Sequence, residues 1–182
     1  MATEFLIEDR SIEGDIIRRT RSSYTQASPA EFLAAIDSIL AVPGVAAVGW
    51  NQYTPYFNDG EPCEFSIGSV AVRLDPEYFN LSDEDVEEFE DDEAWGFPDD
   101  GAWATDYGLF SYIDKNLSYS SGLYDDANRR FEINGVSTLP IKEALKVWNA
   151  GAFESVALEN FGDHALVVAT KDGFDVEFFE HE

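Results

Sequence analysis

The chain is poor in positive charge. Of its 182 residues only 11 are Lys or Arg, against 37 Asp or Glu, for a formal net charge of -26 at pH 7. Direct binding to nucleic acid or to an anionic membrane surface is disfavoured, because both require positive potential. The single cysteine, Cys63, permits no internal disulfide and suits a reducing compartment. No apolar run approaches the ~20 residues needed to cross a bilayer. The first ten residues lack the basic lead and apolar stretch of a signal peptide, so a cytoplasmic protein is expected. Phosphate-loop, nucleophile-elbow and zinc-helix motifs are all missing, so no cofactor and no enzymatic activity are expected.

What the chain has is acid and aromatic rings. Hydrophobic residues make up 45% and aromatics 14%, enough for a core and too much for a disordered acidic tail. The length suits a single domain spanning 1–182. Charge is unevenly spread along it. Arg10, Arg18, Arg19 and Arg21 lie in an N-terminal arm, residues 1–27, where Ile12, Ile16 and Ile17 hint at a short helix. Between Asp75 and Asp106 there are fourteen carboxylates and no Lys or Arg. Solubility requires a net charge of only about 2 to 8 in a small domain, and concentrating more costs stability through self-repulsion. The acidic, aromatic-punctuated segment 75–106 is therefore the leading functional candidate, although most charge runs are solvated faces.

Local patterns predict the elements. Ser28-Pro29-Ala30-Glu31 is a capping-box signature, and Phe32, Ile36 and Ile39 follow at helical spacing until Pro43-Gly44, which predicts a helix over 29–41. A strand over 45–52 should place Ala46, Val48 and Trp50 on one face. A second runs from Cys63 to Leu74, with a bulge at Gly68 and Cys63 buried within it. Ser82 and Asp85 can cap a short acidic helix with Val86 and Phe89 as its apolar stripe. Trp95, Phe97 and Trp103 can pin the segment to the body. A short strand is expected over 130–133 before Asn134-Gly135, then helices from Leu139 and over 152–161, then a C-terminal hairpin turning at Asp172-Gly173. Ala165, Val167 and Ala169 should share its buried face with Phe174, Val176 and Phe178. The expected fold class is α+β, an antiparallel sheet with helices packed against one face.

The stretch Trp50-Asn51-Gln52-Tyr53-Thr54-Pro55-Tyr56-Phe57-Asn58-Asp59-Gly60-Glu61-Pro62-Cys63-Glu64-Phe65, with Phe161-Gly162-Asp163-His164 and the hairpin around Lys171-Asp172-Gly173, resembles an uncharacterised family of tailed phages and bacteria. The resemblance covers roughly residues 28–74 and 158–182. It implies a phage or phage-derived origin, hence a host-cell cytoplasm, and no particular chemistry.

Three readings follow, the third being a structural or assembly protein that docks through the aromatic loop 53–62. The first is a non-enzymatic interaction protein that binds a basic partner, in its sharpest form a DNA-mimic inhibitor of a host nucleic-acid-binding or defence factor. At about one charge per 1.7 Å of duplex axis, 26 charges correspond to roughly 44 Å of DNA, close to the ~40 Å diameter of a compact chain of this length. Its candidate contacts are Asp83, Glu84, Asp85, Glu87, Glu88, Glu90, Asp91, Asp92, Glu93, Asp99 and Asp100, joined by Tyr53, Tyr56 and Phe57, since aromatics are enriched at interface centres. The second class is a metal-dependent hydrolase. If Asp172-Gly173 forms a two-residue turn, His164 faces His181 and the pair could hold a divalent metal with nearby carboxylates. Asp83-Glu84-Asp85-Val86-Glu87 lacks the glycine and distal glutamate of a calcium loop.

Overall fold

The computed structural model describes residues 5–7, 10–14, 26–56, 63–92, 97–98, 101–112 and 129–178. In chain order the elements are β1 (Phe5–Ile7), β2 (Arg10–Gly14), α1 (Pro29–Leu40), β3 (Val45–Tyr53), β4 (Ser66–Leu74), α2 (Pro76–Phe79), α3 (Asp83–Asp92) and β5 (Trp103–Ala104). There follow β6 (Ser111–Tyr112), β7 (Arg129–Arg130), β8 (Glu132–Ile133), β9 (Val136–Ser137), α4 (Leu139–Leu145), α5 (Ala150–Phe161), β10 (Ala165–Ala169) and β11 (Gly173–Phe178). Seven strands form one sheet in the order β1-β2-β11-β10-β3-β4-β5, and two small ribbons pair β6 with β7 and β8 with β9. Every pairing in the large sheet is antiparallel except β2 against β11.

The fold is α+β, with the helices on one face. Strand alternation turns Val48, Trp50 and Gln52 of β3 toward the helices, with Val72 of β4 and Val167 of β10 beside them. Phe32 of α1 meets Trp50 edge-on at 5.7 Å and Phe153 of α5 at 5.3 Å, while Phe161 lies 5.6 Å from Trp50 and 5.1 Å from Phe174. Burying each of these rings contributes about 2 to 3 kcal/mol. Edge-on geometry adds to that because a ring's positive edge meets a negative face. The opposite face carries a smaller cluster of Ala47, Ala71 and Trp103, with Phe97 stacked on Trp103 at 4.9 Å. These two rings cover Gly49, where a Cβ would come within 2.6 Å of Phe97 and 2.8 Å of Trp103. Phe97 and Trp103 thus pin the segment after α3 to the body as expected; Trp95 lies outside the described residues.

Most local expectations hold. Ser28 and Glu31 form both halves of the capping box, and the register between β3 and β4 shifts between Trp50 and Gln52, opposite Gly68 and Ser69. Four expectations need correction. Residues 10–14 form a strand, because β11 offers a parallel edge on which Ile12 sits opposite Phe174. Ala46 is exposed, because a register shift between Val45 and Ala47 breaks the alternation. Cys63 is exposed and precedes β4, which begins only at Ser66. The last hairpin pairs Ala169 with Phe174, and the Thr170 N–H donates to the Gly173 carbonyl at 2.9 Å, so it turns at Lys171-Asp172. The faces survive because the register moves by an even number of residues, except that Phe178, expected on the buried face, is 49% exposed at the end of β11; the pairing of His164 with His181 does not survive, and His181 lies outside the described residues.

Candidate functional site

Helix α3 has eight acidic residues among its ten, and the other two are Val86 and Phe89. Both are partly buried against the main core, which is what holds so repulsive a sequence in a helix. Its N-terminus is a second capping box. The Ser82 N–H and hydroxyl donate to Asp85 Oδ2 at 2.8 and 2.9 Å, and the Asp85 N–H returns a bond to Ser82 Oγ at 3.2 Å. These bonds, the backbone one first, hold the Asp85 carboxyl below the usual carboxylate range. Asn134, in the turn between β8 and β9 at φ +47°, donates to the Asn80 carbonyl at 3.0 Å and to Asp85 Oδ2 at 3.5 Å.

Asp85 is therefore half-buried and committed to its own helix. Asp83, Glu84 and Glu87 are exposed, and among the described residues no Lys or Arg pairs with them. Glu88, Glu90, Asp91 and Asp92 belong to the α3 backbone, but their side chains lie outside the described residues, as do Glu93, Asp99, Asp100 and Phe57 altogether. Exposed acids also occur away from α3: Glu31 and Asp37 on the helix layer, Asp175 and Glu177 on the opposite face of the sheet. The surface charge is distributed, and α3 is a dense local concentration within it.

The aromatic loop belongs to a different place. Tyr53 ends β3 and is half-buried; Tyr56 is 66% exposed and lies 4.8 Å from the ring of His164. His164 is buried at φ +58°, a left-handed conformation uncommon for residues with a side chain. Asp163 Oδ1 holds this bend, accepting the N–H of Thr54 at 2.7 Å and that of His164 at 2.9 Å. His164 Nε2 is 3.9 Å from the same oxygen, too far for a hydrogen bond, and Nδ1 has no hydrogen-bond partner among the described residues. Asp163 thus organises backbone, and among the described residues no three His, Cys, Asp or Glu side chains converge as metal ligands would.

Sequence reasoning missed a cleft of about 830 Å³ beside β4, bordered by Ser66, Gly68, Val70, Leu145, Trp148 and Tyr107. Lys142 and Lys146 also line it. They follow helical spacing in the sequence, but nothing there says that β5 would be too short to cover the neighbouring strand. Comparison with protein-family models, with curated proteins and with solved structures finds no match. No helix among the described residues is long and apolar enough to cross a membrane.

Proposed function

We propose that this chain is a non-enzymatic interaction protein that docks α3 against a basic surface of a partner protein. One observation carries the reading: Asp83, Glu84 and Glu87 stand exposed on a helix fastened at its N-terminus and along Val86 and Phe89, with no described cation of the chain neutralising them. A rigid, unneutralised row of carboxylates attracts a cationic surface at long range and requires little reorganisation on contact. The sharper form of the proposal makes the partner a nucleic-acid-binding protein whose groove accepts α3 in place of phosphates.

The test compares the parent with an Asp83→Asn/Glu84→Gln/Glu87→Gln variant, both immobilised and exposed to a bacterial lysate. The parent should retain basic proteins that elute below about 0.5 M NaCl, where the Debye length is only a few ångströms. The variant, with an unchanged circular dichroism spectrum, should retain far less. Duplex DNA added as competitor should displace the retained proteins if the groove form is right. An identical set on both columns, or retention indifferent to salt, overturns the proposal.

A further inference from the structure

The short length of β5 leaves part of the β4 edge without a partner strand among the described residues. Trp103 and Ala104 pair with Arg73 and Val72 of β4, and Leu74 donates to the Ala102 carbonyl at 2.8 Å. The chain then leaves the edge through a turn in which the Gly108 N–H donates to the Thr105 carbonyl at 3.1 Å and the Tyr107 N–H to Thr105 Oγ1 at 3.3 Å. Beyond that point Ser66–Val70 has β3 on one side and no strand on the other among the described residues. Outward-facing peptide groups of an edge strand are a template for another chain.

The cleft of about 830 Å³ runs along this edge, and its walls come from both sides of the sheet. Val70, Leu145 and Trp148 belong to the helix side; Asn51, which pairs with Leu166, and Phe97, which stacks on Trp103, belong to the other. Residues from the two faces line one cleft across an edge that no described strand occupies. A strand laid there would continue the line of β5, span about 17 Å over five residues, and send alternate side chains to the two walls. The dimensions suit an extended peptide.

Charge narrows the occupant. Of the four lysines in the chain, Lys142 and Lys146 border the cleft from α4 and the residue that follows it. The Lys142 ammonium lies 3.8 Å from the Phe131 ring centroid and has no carboxylate partner among the described residues. Lys146 pairs with Glu143 at 2.6 Å, both largely exposed, so that pair can exchange for another carboxylate at small cost. Asp106 also lines the cleft. In a chain of net charge -26, two of the four lysines are thus gathered on one wall of this cleft. A second copy is a poor occupant, since Ser66-Ile67-Gly68-Ser69-Val70 carries no acid and two such chains repel.

We propose that the Ser66–Val70 edge is a strand-addition site for an extended segment of a partner protein, apolar at alternate positions and carrying Asp or Glu opposite Lys142 and Lys146. This site is separate from α3, and its test does not involve α3.

The experiment selects seven-residue peptides from a displayed random library on the full chain. The best binder is then titrated into isotope-labelled protein. Apolar residues alternating with Asp or Glu should be enriched, with saturable shifts in the amides of Ser66 to Val70. Methylating alternate backbone nitrogens of that peptide should abolish binding. Lys142→Glu with Lys146→Glu should weaken it about five- to tenfold, the size expected of two exposed ion pairs. No enrichment, enrichment of basic peptides, shifts confined to other strands, indifference to N-methylation, or a dimer in the free protein with these amides at its interface would each overturn the proposal.

Discussion

The indole N–H of Trp50 donates to Gln52 Oε1 at 3.0 Å, two residues along the same strand, with both side chains fully buried. The amide of Gln52 passes the connection on, donating to the Ala157 carbonyl at 3.2 Å and to the Gly162 carbonyl at the end of α5. A buried glutamine thus ties the middle of the sheet to the C-terminus of a helix and satisfies groups that water cannot reach. Gln52→Leu should cost about 3 kcal/mol, because an indole donor and helix-end carbonyls lose their partners at once. Urea unfolding followed by tryptophan fluorescence measures it. A loss under about 1 kcal/mol would mean that the network is redundant.

The two capping boxes make acid sensitivity predictable. Hydrogen bonds from Ser28 lower the pKa of Glu31 from 4.5, and those from Ser82 lower that of Asp85 from 3.8. With folded values below unfolded ones, the contribution is fully present above those ordinary values and is lost as pH falls through the lower folded ones. Carbon-13 titration should find the Asp85 carboxyl more than half ionised at pH 3.8, and Ser82→Ala should return its midpoint toward the ordinary value. An Asp85 that titrates at or above 3.8 in the parent contradicts the geometry.

Self-repulsion should be visible in salt. Raising NaCl from about 10 to 200 mM shortens the Debye length from roughly 30 Å to below 10 Å, so the melting temperature should rise, and rise less for the Asp83→Asn/Glu84→Gln/Glu87→Gln variant. Equal salt responses would show that α3 contributes little to the strain of net charge.

Gly49 tests how the acidic segment is pinned. In Gly49→Val the new side chain would occupy the space of Phe97 and Trp103, forcing apart rings now 4.9 Å from centroid to centroid. A cost of about 1 to 3 kcal/mol is expected for such overpacking. Amide exchange in α3 and around Phe97 should quicken more than in α1 or β10. Uniform quickening would show that the two rings serve general stability and have no special hold on the segment.

The identity of most elements was legible in the sequence because the forces involved are local. Ser28 and Glu31, or Ser82 and Asp85, lie within one helical turn of each other, and the alternation of Ala165, Val167 and Ala169 is a property of any strand. Even where the last hairpin closed two residues early, Phe174 and Val176 kept the buried face, since strand periodicity is insensitive to an even shift, and only Phe178 at the strand's end was left exposed.

What tertiary structure alone decided is where local preference is weak or a neighbour is distant. Residues 10–14 became a strand because β11, some 160 positions later, presents an edge, and Cys63 stayed outside β4 because pairing with β3 ends at Tyr53 and Ser66. Asp85, one of the candidate contacts, is tied by hydrogen bonds to a serine three residues before it and to an asparagine 49 residues after it. The cleft beside Ser66–Val70 exists because β5 pairs through only two residues, a length set by where the turn at Thr105 departs. The sequence by itself determined the periodic faces, the caps and the accumulation of negative charge. Which carboxylates face solvent, and which strand edge stays open, depended on long-range pairings that no local pattern encodes.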